Sequence, residues 1–153
     1  MSKSNAFETA YLKLLFQNVP ITNLGDAAGL LGSAAAGNLY LSLHTADPGE
    51  GGSQNTSELA YDSYARMPLV RNATNFPVAD DTMSLGVNVD FPEMAVGESG
   101  GGTVTYFCVG TAASGAGMVL YRGTMTPNVI VQEGVTPRIK GTPSGTPSTV
   151  TEN

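Results

Sequence analysis

The hydrophobic pattern of the first twenty residues predicts an amphipathic helix. Asn5 and Glu8 have the spacing of a capping box, in which Asn5 accepts from a first-turn amide and Glu8 reaches back to the amide of Asn5. Apolar residues then recur at helical spacing until Asn18 and Pro20 end the pattern: Ala6, Phe7, Ala10, Tyr11, Leu14 and Leu15. We therefore expect a helix that begins at Asn5.

The large side chains of this stripe have two interpretations. In the first, Phe7, Tyr11, Leu14 and Leu15 cap the protein core, which is the commoner role of an apolar helix face. In the second, they form a partner interface, and the helix is an arm that lies in a groove of a neighbouring molecule. The Gly- and Ala-rich segment 23–37 then predicts a hinge loop with a short helical turn around residues 26–30.

From Asn38 onward the hydrophobic period changes to two, which indicates strands. Leu39, Leu41 and Leu43 fall on one face of the first strand, and His44 falls on the other face, pointing away from the leucines. Pro68 lies inside a candidate strand, so that strand should be an edge strand or contain a bulge. The further predicted strands are Ser63–Val70, Val87–Phe91, Thr103–Thr111, Met118–Met125 and Val129–Glu133.

Many short strands separated by Gly and Pro predict a mainly β fold, a β-sandwich or barrel-like domain with an N-terminal amphipathic helix. The chain divides into an N-terminal helical arm and hinge (1–37), a β domain (38–140) and a flexible Thr/Ser/Pro-rich tail (141–153). The tail has almost nothing to bury, so we expect it to be ordered only by a partner.

Composition narrows the function classes. Charged residues make up 13% of the chain, about half the usual share. A surface so poor in charge indicates either stable self-association as a homo-oligomer or docking on a larger assembly, or a monomer kept soluble by its hydroxyl groups and its net charge. Only seven basic residues stand in a chain of net charge −6, which predicts no nucleic-acid partner. No apolar run is long enough to span a membrane, and the single Cys108 forms no internal disulfide. We expect assembly in a cytoplasm.

The sequence offers few candidates for chemistry. His44, followed by Asp47 and Glu50, could serve a hydrolase or a sugar-binding module, but one His and one Cys are too few for a metal site. Cys108 lies in an apolar strand, which predicts a buried thiol. Gly97–Gly102 lacks the Gly-Lys-Ser/Thr ending of a phosphate loop, so we interpret it as a flexible hairpin loop. We predict no catalytic, cofactor-binding or metal-binding residues, and no enzyme.

Two long segments carry a resemblance. Residues 39–66 read LYLSLHTADPGEGGSQNTSELAYDSYAR, and residues 107–123 read FCVGTAASGAGMVLYRG. Together with LGDAAGL at 24–30 and the Val135–Pro137 turn, they resemble a family of small virion structural proteins of tailed bacteriophages. Members of this family are described as head decoration, tail or tail-fibre-like proteins. The resemblance implies no catalytic residues and no cofactors.

The resemblance and the composition lead to an expected role on the virion. We expect a capsid decoration (cement) protein that binds the major capsid protein on the outer surface of the head, as a trimer or dimer, and stabilises capsomer junctions. The alternative is a tail or tail-fibre-associated protein that presents loops such as Asp47–Ser57 and Gly97–Gly102 to the host.

Overall fold

A computed structural model describes residues 2–142 and 149–151 of the chain. Its helix and strands are α1 (Asn5–Gln17), β1 (Asn38–His44), β2 (Met67–Val70), β3 (Val78–Ala79), β4 (Thr82–Ser84), β5 (Val89–Asp90), β6 (Gly102–Gly110), β7 (Val119–Val131), β8 (Arg138–Ile139) and β9 (Thr149–Thr151). The chain forms two compact units. The helix unit comprises Met1–Asn38, Val70–Asn88 and Ile139–Asn153, and the sheet unit comprises Leu39–Leu69 and Val89–Arg138.

The units differ from the predicted segments mainly in one place. Segment Val70–Asn88 belongs to the helix unit, whereas the sequence places it within the β domain. The predicted division into arm, β domain and tail stays a prediction, because compactness alone does not show which segments fold independently. Most of the predicted tail, 143–148 and 152–153, lies outside the described residues. Thr149–Thr151 form β9, which pairs with β4.

The N-terminal helix exists as predicted, but its cap lies one residue earlier. Ser4 is the N-cap: its backbone is extended, and its hydroxyl oxygen accepts from the amide of Phe7 at 3.4 Å. Asn5 is already helical, so the predicted capping box of Asn5 and Glu8 is wrong. Asn18 ends the helix in the left-handed conformation, and its backbone amide donates to Lys13 O.

The buried face of α1 differs from the predicted stripe. Leu12 and Phe16 are fully buried, and Glu8, one turn before Leu12, is buried as well. Phe16 packs on Phe76 with ring centroids 5.3 Å apart, so segment 70–88 covers this face. Phe7 and Tyr11, members of the predicted stripe, stay 38% and 37% exposed. The helix therefore packs on its own chain through residues that the stripe did not include.

Replacing Phe16 is expected to destabilise the helix unit strongly. Phe16→Ala removes a fully buried ring and leaves a cavity against Phe76, which typically costs about 3–5 kcal/mol. Phe7→Ala, on the exposed side of the same helix, should cost less than about 1 kcal/mol. Urea unfolding of both variants checks the assignment, and equal losses would contradict it.

A small sheet completes the helix unit. Strands β3, β4 and β9 form an antiparallel sheet in that order. The helix is tied to it because Thr9 Oγ1 donates to Asp80 O at 2.6 Å, in the turn between β3 and β4. Gln17 Nε2 likewise donates to Phe76 O at 2.8 Å. These bonds hold the helix at a fixed place on segment 70–88.

The sheet unit is built on a larger sheet with strand order β2-β1-β6-β7. Leu41 and Leu43 of β1 face Val109 and Phe107 of β6 in the antiparallel register, and all four are buried. The neighbour of Phe107 on β7 is Gly123, where a Cβ would lie 2.7 Å from the Phe107 ring. Gly123 leaves room for the ring, which lies over the strand at this position; a larger residue there would require the ring to shift. Strands β5 and β8 form a separate pair.

Each predicted strand overlaps a strand of the structure, with shifted bounds. β2 is an edge strand of the sheet, which confirms the expectation from Pro68. The predicted strands Met118–Met125 and Val129–Glu133 are one continuous strand, β7. The predicted helical turn at 26–30 is wrong, since that segment is a non-helical turn. Strands β3, β4, β8 and β9 were not predicted, because two or three residues are too few to show a period.

The fold class is confirmed: the chain is mainly β, with one N-terminal amphipathic helix and antiparallel sheets of the kind that build a β-sandwich. The described strands of the four-stranded sheet form an open row with β2 and β7 at its edges. Of the two architectures predicted from the sequence, this open strand order favours the β-sandwich over the barrel.

Candidate assembly surface

Exposed apolar side chains are concentrated in the helix unit. Of the ten large hydrophobic residues that are exposed in the described part of the chain, seven belong to this unit: Phe7, Tyr11, Val19, Leu24, Leu30, Leu31 and Val70. Leu31 is 65% exposed and Leu24 50%. Clustered exposed apolar residues mark an interaction surface more often than scattered ones do.

The loop that carries these leucines is held by backbone hydrogen bonds. Ile21 and Leu30 exchange two of them, at 2.9 and 2.8 Å, which close the loop into a narrow hairpin. At its tip Asp26 Oδ1 accepts from the amides of Ala28 and Gly29, both at 2.9 Å. The exposed leucines are therefore presented by a fixed backbone, and docking would cost little ordering entropy.

Two polar side chains attach this loop to the end of the helix. Asn18 bonds Ser33 through three contacts of 2.8 to 3.0 Å, including its Nδ2 to Ser33 O. Arg71 Nε donates to Leu15 O at 2.6 Å, and its Nη2 donates to Leu14 O. Arg71 Nη1 also donates to Ala36 O at 3.3 Å. Arg71 thus satisfies the last carbonyls of α1, which the helix itself leaves without partners.

Between the helix and the loop lies an open depression of about 230 Å³, which we call the leucine groove. It is lined by Tyr11, Leu14, Leu15, Leu30, Leu31, Gly32, Ser33 and Arg71. Three of the four predicted interface residues line it. The fourth, Phe7, lies beside it, with its ring 6.4 Å from that of Tyr11.

Leu30 and Leu31 were missed by the sequence reasoning, although they are among the most exposed residues of the groove. The available signal was a Leu-Leu pair inside a Gly- and Ala-rich segment otherwise without bulky side chains. Binding of a partner at this groove is therefore a prediction.

Net charge is divided unevenly between the two units. By sequence, the helix unit carries four basic and five acidic residues, a net charge of −1. The sheet unit carries three basic and eight acidic residues, a net charge of −5. Nearly all the net charge therefore belongs to the unit with fewer exposed hydrophobic residues.

His44 shares a strand face with Ser42, away from the leucines as predicted, but the loop at Thr56 covers that face and the His44 side chain is fully buried. One ring nitrogen, Nδ1, lies 2.9 Å from Thr56 O, and the other, Nε2, lies 2.9 Å from Ser42 Oγ. Since a carbonyl only accepts, the proton is on Nδ1, and the Ser42 hydroxyl donates to Nε2. Burial lowers the pKa of His44 below its ordinary value, so the ring stays neutral.

A Ser-His hydrogen bond can form the core of a hydrolase site, but both Ser42 and His44 are fully buried. A substrate carbonyl could not reach Ser42 Oγ in this arrangement. The pair instead attaches β1 to the loop that contains Thr56. Asp47 and Glu50, the carboxylates that suggested catalysis, take no part in these bonds.

The loop after β1 is held over the sheet by buried polar groups. Gln54 is fully buried, its Nε2 donating to Tyr40 O at 3.2 Å and its Oε1 accepting from the amide of Ala112 at 2.9 Å. Farther along, Arg66 forms a bidentate pair with Glu58, each bond 2.7 Å long. The candidate host-contact loop Asp47–Ser57 is thus anchored through Gln54.

The second candidate host-contact loop, Gly97–Gly102, is also attached to its surroundings. Ser63 Oγ donates to Glu98 Oε2 at 2.9 Å, and the amide of Gly101 donates to Ala60 O at 2.8 Å. A Cβ at Gly100 would lie 2.2 Å from Ala60 O, so the backbones approach too closely for any other residue. Gly100 permits this approach. The predicted hairpin is wrong, because the flanking strands do not pair with each other: β5 pairs with β8, and β6 lies between β1 and β7.

The remaining chemical candidates are buried or scattered. Cys108 is fully buried in β6, as expected, and burial raises the pKa of its thiol to about 12. Within residues 2–142 and 149–151, no three His, Cys, Asp or Glu side chains come together as metal ligands. No helix in the described part of the chain is long and apolar enough to cross a membrane.

One family model covers almost all of the chain. Residues 2–142 match the family described as podophage GP4 fiber I protein gp80. The chain belongs to this family. No curated protein is a significant match. Membership in the fiber I protein family confirms the resemblance to virion structural proteins of tailed bacteriophages, and so a location in the virion.

Proposed function

We propose that this chain is a structural component of a podophage fibre and assembles through the leucine groove. The observation that supports the fibre is the family match over residues 2–142. The surface that supports assembly is the groove with its exposed neighbours, which a chain working alone would leave in water. The function is structural, without catalysis and without a cofactor.

The proposed occupant of the groove is a second copy of this chain, in a dimer or trimer. Apolar surfaces associate most readily when like charges do not oppose them, and the helix unit carries a net charge of only −1. Its rigid loop favours an interface that changes little on binding. The acidic sheet unit supplies the solvated surface of the assembly, and neither nucleic acid nor a membrane is a proposed partner.

Capsid decoration is the second candidate. A cement protein on the outer surface of the head, bound to the major capsid protein, would need the same kind of apolar docking surface. The leucine groove therefore supports both locations, and the family description favours the fibre.

Cryo-electron microscopy of the intact virion tests the location. We expect density for this chain within the fibres that project from the particle, with α1 and the loop at residues 18–33 buried between copies. Density at capsomer junctions would replace the fibre with the decoration role. If purified virions lack the chain, both candidates are overturned.

A further inference from the structure

A second depression lies in the sheet unit, along the outer strand of the large sheet. It has a volume of about 380 Å³ and is lined by Gly49, Glu50, Tyr106 and six consecutive residues of β7, numbers 119–124. We call it the β7 groove. Its volume falls within the range of about 300–1,000 Å³ that is usual for ligand sites.

The sheet register places three side chains with polar groups together in this groove. Tyr106 of β6 pairs with Thr124 of β7, and Cys108, two residues after Tyr106, pairs with Arg122. Since paired residues and residues two apart share a face of a sheet, Tyr106, Arg122 and Thr124 lie on the same face. The groove floor therefore combines an aromatic ring, a guanidinium and a hydroxyl.

An ion pair fixes the guanidinium on the groove floor. Arg122 Nε lies 2.7 Å from Asp47 Oδ1, and the same carboxylate oxygen accepts from the amide of Gly49 at 2.9 Å. Both partners keep more than a third of their side chains exposed, so the pair borders solvent. Asp47 thereby holds the turn that places Glu50 at the groove.

The charges of this site decide which ligands fit. Asp47 already neutralises Arg122, and Glu50 leaves the groove with a net charge of −1. Phosphates, sulfates and nucleic acids are therefore disfavoured. An apolar ligand would leave the carboxylate and the guanidinium poorly solvated. A ligand with several neutral hydroxyls and an apolar ring face satisfies both requirements.

We infer that the β7 groove binds a neutral saccharide. The Tyr106 ring packs against the C–H face of a sugar ring, and the Glu50 carboxylate accepts hydrogen bonds from two adjacent hydroxyls. Arg122, positioned by Asp47, donates to a ring or hydroxyl oxygen, and Thr124 supplies a further hydroxyl. The site involves the sheet unit alone and holds for a fibre component and for a capsid protein alike.

Nuclear magnetic resonance on the full-length chain tests this site. The probes are the methyl glycosides of glucose, galactose, mannose, rhamnose and N-acetylglucosamine, each at millimolar concentration. We expect saturation transfer to at least one glycoside, with amide shifts confined to residues 49–50, 106 and 119–124. Glu50→Gln should weaken binding about tenfold, because hydrogen bonds to a charged acceptor are lost. Glu93→Gln, at an exposed carboxylate outside the groove, should bind as the unmodified chain does.

Three results would overturn the inference. In the first, none of the glycosides shifts the groove amides. In the second, Glu50→Gln binds as tightly as Glu93→Gln, which would place the sugar elsewhere. In the third, inorganic sulfate or a lysine-rich peptide shifts the same amides while the glycosides do not, which would assign the groove to an anion or to a cationic peptide.

Discussion

Leu31→Asp is expected to remove the chain from its assembly while leaving its fold unchanged. Leu31 is 65% exposed, so the substitution should change the free energy of unfolding by no more than about 0.5 kcal/mol. In an assembled interface the new carboxylate would be buried without a partner, at a cost of about 3–5 kcal/mol. Self-association and virion occupancy should each fall at least about 100-fold.

The sheet unit provides a matched control for this substitution. Ile130 is 64% exposed and, like Leu31, aliphatic, but it lies on β7 outside the leucine groove. Ile130→Asp should be incorporated into virions at the level of the unmodified chain. Light scattering measures association, and quantitative mass spectrometry of purified virions measures occupancy. Unchanged association and occupancy for Leu31→Asp, or equal losses for both variants, would contradict the groove as the interface. Deleting residues 1–18 is a poorer test, since Leu12 and Phe16 would leave the core.

Arg66→Met is expected to lower the free energy of unfolding by about 3–5 kcal/mol. The Arg66 side chain is 2% exposed and its partner Glu58 16%, so the substitution leaves a nearly buried carboxylate without its counter-ion. It also removes the donors to Ala112 O at 3.0 Å and Gly115 O at 2.7 Å, which hold the turn before β7. Urea unfolding measures the loss.

A second arginine pair in the same unit supplies the comparison. Arg138 also forms a bidentate pair, with Asp90, but the two side chains are 51% and 46% exposed. Arg138→Met should therefore cost less than about 1 kcal/mol. The double variant Glu58→Gln with Arg66→Met should be more stable than Arg66→Met alone, because the unpaired charge is gone. Similar losses for Arg66→Met and Arg138→Met would show that burial does not determine the strength of these pairs.

The sequence predicted those parts of the fold in which a regular pattern extends over several turns or residue pairs. The helix, β1, β6 and the edge position of Pro68 all follow from periodicity or from proline chemistry. Which face of the helix is buried could not be predicted in this way. That choice depends on Phe76, sixty positions away from Phe16, and on a fold that brings the two rings together.

The candidate sites were only partly accessible to sequence reasoning. Tyr11, Leu14 and Leu15 were predicted because they share a helix face, but Leu31 belongs to a loop whose shape depends on the Ile21–Leu30 bridge. The burial of His44 could not be predicted for a similar reason. Alternation along a strand separates two faces but does not show that a loop covers the second one, and here the loop at Thr56 does so.

The small net charge of the helix unit should affect how well the virion tolerates salt and cold after lysis. The proposed joint between copies, formed by leucines rather than ion pairs, should be insensitive to ionic strength, so fresh and saline water should leave it equally intact. Sulfate and protective osmolytes should tighten it, and cooling should loosen it, since apolar burial contributes less at low temperature. For particles built in this way, storage in the cold is a harsher treatment of the joint than storage in brine.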